Sequence, residues 1–96
     1  MDHFQDAIKY WEQLEKLQPE NPISIINIGY CFFHLKNYKK ALKHLLKVYD
    51  KIEFKDKQLL EIIGICHMES KEYQKALEYF KEVESLDFKA LLSGKN

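Results

Sequence analysis

The chain is 96 residues long, the size of one small domain, and its 15 lysines (there is no arginine) balance 15 acidic residues, so the net charge is about zero. It is 46% hydrophobic with three glycines and two prolines, too apolar for a disordered coil and too poor in turn residues for an all-β domain. Balanced charge gives no support to nucleic-acid binding by the chain as a whole, and two cysteines do not make a disulfide scaffold.

Apolar residues recur at spacings of three and four, the helical period, and predict five helices over residues 2–17, 22–35, 38–52, 57–70 and 73–86. The first opens on MDHFQDAIKY, polar and acidic, with none of the pattern of a leader segment. Pro19 and Pro22 mark a helix stop and restart, with Asn21 placed to cap the second helix and Pro22 in its first turn. That second helix contains the most apolar window, about 13 residues broken by Ser24, Asn27 and Gly29, short of the ~20 a membrane helix needs. A protein without membrane insertion, in a reducing compartment such as the cytoplasm, is the expectation. Asn37 marks the turn before the third helix and Ser70–Lys71 the turn before the fifth.

The helices repeat. FQDAIKYWEQLEKLQ from Phe4, YKKALKHLLKVYDKI from Tyr38 and YQKALEYFKEVESLD from Tyr73 align without gaps. Each places Ala (7, 41, 76) three residues after an aromatic, then a large apolar residue four further on (Trp11, Leu45, Phe80), then another at Leu14, Val48 and Val83. The alanines lie 34 and 35 residues apart. A second unit precedes two of these copies: Ile25, Ile28, Gly29 and Phe32 in one, Leu60, Ile63, Gly64 and His67 in the next. Glycine is unfavourable inside a helix. Its return in register, with the small Ala of the following helix, predicts that the two helices of each pair cross closely where side-chain bulk is missing.

This pattern resembles the tetratricopeptide repeat, W-x2-L-G-x2-Y followed by A-x3-F and P. Here it reads Ile25-x2-Ile28-Gly29-x2-Phe32 with Ala41-x3-Leu45, then Leu60-x2-Ile63-Gly64-x2-His67 with Ala76-x3-Phe80, and the N-terminal copy supplies Ala7-x3-Trp11 and Pro19. The departures are Glu53 and Phe88 at the later proline places, an extra residue near 55–56, and His67 where an aromatic is usual. The resemblance implies an all-α fold of antiparallel helix pairs stacked as an α-solenoid, with about two and a half repeats in one domain. Residues 1–21 would form the second helix of a partial repeat, 22–56 and 57–88 full repeats, and 89–96 a tail or the start of a further first helix. Apolar ends (Phe4, Ile8 and Trp11; Tyr79, Val83, Leu86, Phe88, Leu91 and Leu92) predict a fragment of a longer array or association of copies through those ends.

The resemblance further implies a superhelix whose first helices line a concave side, where a stripe makes the ligand contacts. The matching residues are Ile23, Ile26, Asn27, Tyr30, Phe33 and His34 in one repeat and Gln58, Glu61, Ile62, Ile65, Met68 and Glu69 in the next. In members that bind a terminal carboxylate, Lys and Asn occupy places held here by Ile26, Tyr30, Glu61 and Ile65, which argues against a carboxylate clamp. The stripe suits an apolar or amphipathic peptide or helix of another protein. Two other occupants stay open: a C-terminal helix or second copy filling the groove, and ordinary core packing. A structural segment of a longer scaffold and a small chaperone shielding clients are the alternatives at the level of function.

Lysines are concentrated in the middle of the chain. Residues 22–56 carry seven lysines against three acids, and Lys36, Lys40, Lys43 and Lys47 recur at helical spacing, read as a solvated face. Cys31 and Cys66 share one register and read as packing residues. Cys66 and His67 are sequence neighbours that point in different directions on a helix, so they make no nucleophile pair. Lone mid-helix glycines make no phosphate loop, and no C-x2-C or H-x3-H offers a metal site. No catalytic constellation and no cofactor are expected.

Overall fold

The computed structural model describes residues 3–52 and 56–94. They form five helices and no strand: α1 (His3–Leu17), α2 (Pro22–His34), α3 (Tyr38–Tyr49), α4 (Lys57–Glu69) and α5 (Tyr73–Leu92). Asp2, Glu53 and Lys55, which enter the sequence expectations above, lie outside the described residues.

Local chemistry sets the helix ends. The Asn21 side chain accepts from the Ile23 N–H at 2.9 Å with Pro22 in the first turn, and Asn37 accepts from the Lys40 N–H at 3.3 Å. Both are N-caps that satisfy amides with no partner inside the helix. The two turns within helix pairs share one construction. After α2, Lys36 adopts φ 63° while the Asn37 N–H donates to the Phe32 carbonyl at 2.8 Å. After α4, Lys71 adopts φ 63° while the Glu72 N–H donates to the His67 carbonyl, also at 2.8 Å. Each is a left-handed helix stop with a lysine where glycine is usual. The repeat seen in the sequence therefore extends to its turns.

Each helix packs on its neighbours in chain order, and α2 also approaches α4. Among the described residues the backbones of the outer helices α1, α3 and α5 stay apart, and α3 and α5 meet through side chains, Tyr49 against Glu82 and Tyr79, while α2 and α4 approach each other on the inner side of the stack. Ala41, Leu45, Leu59, Ile62, Ile63 and Cys66 form the buried cluster at the α3–α4 junction.

The small residues act as expected, with one correction of detail. A β-carbon on Gly29 would lie 2.6 Å from Leu45 Cδ2, and one on Gly64 would lie 2.7 Å from Phe80 Cε1. Each glycine thus seats the large residue four positions after the alanine, not the alanine itself. Ala41 and Ala76 are buried, and Ala41 belongs to the cluster at the α3–α4 junction.

Helix ends differ from the sequence expectation in four places, the first at α2, which stops at His34, one residue early. α3 stops at Tyr49 instead of residue 52, with Asp50 as its C-cap. α4 stops at Glu69, one residue early. The largest difference is α5, which does not end at Leu86 but continues through Leu92, so residues 89–92 belong to α5 and begin no new helix. Residues 87–92 contain no proline or glycine to stop it. Termination comes at Ser93 and Gly94, the latter at φ 76°. Of the residues expected to form apolar ends, Ile8 and Val83 are buried, each 8% exposed, whereas Phe88, Leu91 and Leu92 face solvent.

Candidate functional site

The inner side of the stack carries a cleft of about 650 Å³. Phe33 and His34 from the end of α2 form one wall, Gln58, Glu61, Ile62 and Ile65 of α4 the floor, and Phe80, Val83, Glu84 and Asp87 of α5 the far wall. Its size lies within the range of sites that hold a compact ligand or a short run of side chains. The helical period explains the grouping: residues 58, 61, 62 and 65 share one face of α4, and 80, 83, 84 and 87 share one face of α5.

The cleft is apolar at its base and acidic at its rim. Phe33, Ile65 and Phe80 are half-buried, and Ile62 and Val83 are buried. Glu61 is partly exposed, and Glu84 and Asp87 are exposed. Lys57 Nζ lies 3.0 Å from Asp87 Oδ1. Asp87 and, more weakly, Glu61 favour the charged form of that amine and raise its pKa. Glu84 forms no ion pair or hydrogen bond among the described residues. No lysine lines the cleft.

The expected stripe divides. Phe33, His34, Gln58, Glu61 and Ile65 line the cleft, together with Ile62, which also belongs to the buried cluster. Ile23, Ile26, Asn27, Tyr30, Met68 and Glu69 do not. Ile23 is 58% exposed near the start of α2, and Met68 is 41% exposed near the end of α4. Tyr30 is half-buried, and burial, with the Asp56 carboxylate as a lesser cause, raises the pKa of its hydroxyl. Phe33 is held edge-on to Tyr38 at 6.1 Å, and His34 stacks on Phe4 of α1 at 4.8 Å. The wall from α5 lies outside the sequence expectation, which places the ligand-contacting stripe on the first helices alone. The three-and-four spacing of 80, 83, 84 and 87 was the available signal.

Groups with chemical potential elsewhere are occupied structurally. Burial pushes the Cys66 thiol up to about 12 and raises that of Cys31, so both stay protonated and unreactive near neutrality. His67 is buried. Its Nδ1–H donates to Glu72 Oε1 at 2.9 Å and its ring stacks on Tyr79 of α5 at 5.5 Å, in the aromatic's place within the repeat. Among the described residues, no helix is long and apolar enough to cross a membrane.

The sequence profile of the family described as Anaphase-promoting complex, cyclosome, subunit 3, which is of the tetratricopeptide-repeat type, matches residues 1–83. No curated protein matches the chain.

Proposed function

Because the chain belongs to the anaphase-promoting complex subunit 3 family of tetratricopeptide-type repeats, we propose that it is a protein–protein interaction module. Its inner cleft holds an amphipathic segment whose apolar residues are flanked by lysine or arginine. The observation that carries this reading is the pairing, in one cleft, of an apolar base (Phe33, Ile62, Ile65, Phe80) with a rim of Glu61, Glu84 and Asp87. Burial of apolar side chains against the base supplies affinity, and the rim selects against acidic flanks. Gln58 and His34 at the margins offer polar groups that fix register.

The test uses two labelled synthetic helices with the same leucine stripe, one flanked by lysines and one by glutamates. Fluorescence anisotropy is expected to show the lysine-flanked helix bound more tightly. Ile65→Ala should weaken it about ten-fold, the size of a lost apolar anchor. Glu84→Lys should weaken the lysine-flanked helix and strengthen the other. Unchanged affinity in Ile65→Ala, with the melting temperature retained, would rule out the cleft. Sedimentation at the assay concentration separates binding from pairing of copies through exposed Phe88, Leu91 and Leu92.

A further inference from the structure

We infer that the outer face of α3 is a second docking surface, on the side away from the cleft, and that its partner is an acidic segment of another protein. α3 carries Lys39, Lys40, Lys43 and Lys47 and no acidic residue, and Lys36 stands in the turn before it. All five are exposed. By the helical period, Lys39, Lys40, Lys43 and Lys47 fill the sector opposite the buried Ala41, Leu45 and Val48. The lysine run from 39 to 47 spans roughly 12 Å along the helix.

Two comparisons within the molecule separate this face from an ordinary solvated one. The other outer helices mix their charges: α1 has Lys9 and Lys16 among Asp6, Glu12 and Glu15, and α5 alternates Lys75, Lys81 and Lys89 with four acids. Solubility is met there without a single-signed face. On α3 the arrangement works against the helix. Lys39 and Lys40 sit in the first turn, where the helix dipole favours acids, and no acid accompanies them. Lys39/Lys43 and Lys43/Lys47 are like-charge pairs at a spacing of four on the helix, which repel. None of the lysines forms an ion pair among the described residues. Glu12 shares a depression with Lys40, Glu72 shares one with Lys39, and Asp50 follows the helix, leaving Lys43 and Lys47 as the uncompensated centre. Lys40 gains the Phe32 ring and Lys47 a place in the last turn, but Lys43, with a like charge four residues away on each side, departs from local stability rules without an internal gain, as a surface kept for contact would.

The chemistry favours an acidic protein segment over nucleic acid. The cations are all lysine, without arginine's planar fork, and no aromatic stands among them on that sector to stack on bases. Lys40 is drawn over the Phe32 ring, 5.5 Å from its centroid, which leaves that ring covered.

Fluorescence anisotropy with a fluorescein-labelled oligo-glutamate peptide tests this on the full chain. Saturable binding at low salt, weakened by added salt and absent for a Gly-Ser peptide, is expected. Lys43→Gln with Lys47→Gln should weaken binding at least about ten-fold. The same double variant should keep its melting temperature, because the repelling pair lost is offset by the favourable place of Lys47 in the last turn; affinity lost without stability is a result that a damaged fold cannot produce. Ile65→Ala should leave oligo-glutamate binding unchanged, so this surface and the cleft fail or stand separately. No saturable binding, equal binding by the double variant, or equal or tighter binding of a single-stranded oligonucleotide would overturn the inference.

Discussion

At the scale of single residues, the two repeat glycines make an internal comparison. Gly29 seats Leu45, which is wholly buried, whereas Gly64 seats Phe80, which is partly exposed at the cleft. Alanine at either place gains about 1 kcal/mol of helix propensity over glycine. Against this stands overpacking, about 1–3 kcal/mol where neighbours cannot move. Leu45 is wholly enclosed, so Gly29→Ala should be destabilised, by up to about 2 kcal/mol net. The Phe80 ring can swing toward the cleft, so Gly64→Ala should fall near neutral. Urea denaturation of both variants checks the order, and equal losses would show that Phe80 is as fixed as Leu45. The ring's shift also predicts that Gly64→Ala reshapes the far wall of the cleft.

At the scale of elements, polar contacts bind α5 to its neighbours and give the pairings opposite pH dependences. The Tyr49 hydroxyl donates to Glu82 at 2.7 Å, and burial first, then this bond, raises its pKa to about 12. A raised tyrosine pKa means a contribution fully present below pH 10 and lost as pH rises toward about 12. Glu72 is shifted the other way: the bond from His67, aided by Lys75, holds its carboxyl below the usual carboxylate range. Its contribution is present above the ordinary carboxylate pKa and fades as pH falls through the lowered value. An absorbance titration of the chain against Tyr49→Phe should show one tyrosine ionising near 12, and Glu72→Gln should flatten only the acid limb of stability. These contacts also show what was legible in sequence. Helix existence, pairing and the shared register of glycine and alanine could be read because they depend on spacing along the chain. The Tyr49–Glu82 bond joins residues far apart in the chain, and nothing local encodes it. The repeat period points to a stop for α5 at 86, but residues 87–92 supply no breaker and the helix continues to Leu92. The cleft was half legible for a related reason: residues 58, 61 and 65 follow from their place in the repeat, but the wall from α5 depends on how two helices meet.

At the scale of the molecule, the position of the core decides whether the repeats unfold separately. The buried cluster does not sit inside one helix pair. Ala41 and Leu45 belong to the first full repeat and Leu59, Ile62, Ile63 and Cys66 to the second, with Tyr30, Phe32 and Phe33 of α2 and Tyr79 of α5 packed around them. Stacked repeats couple through such junctions, and the coupling grows with the share of core that lies there. Leu59, 1% exposed, stands at the middle of it. Leu59→Ala should cost about 2–5 kcal/mol, a large fraction of the roughly 5–14 kcal/mol expected for a domain of this length. Because the lost contacts belong to both repeats, denaturation should remain a single transition at lower urea. Native-state hydrogen exchange should quicken at the slowest amides of α2 and α3 as much as at those of α4 and α5. An array of independent pairs would confine the change to α4 and α5. The two proposed docking faces would then be carried by one cooperative body, so a substitution at the junction that lowers stability should weaken both proposed interactions together, while Ile65→Ala and the Lys43/Lys47 pair should each affect one.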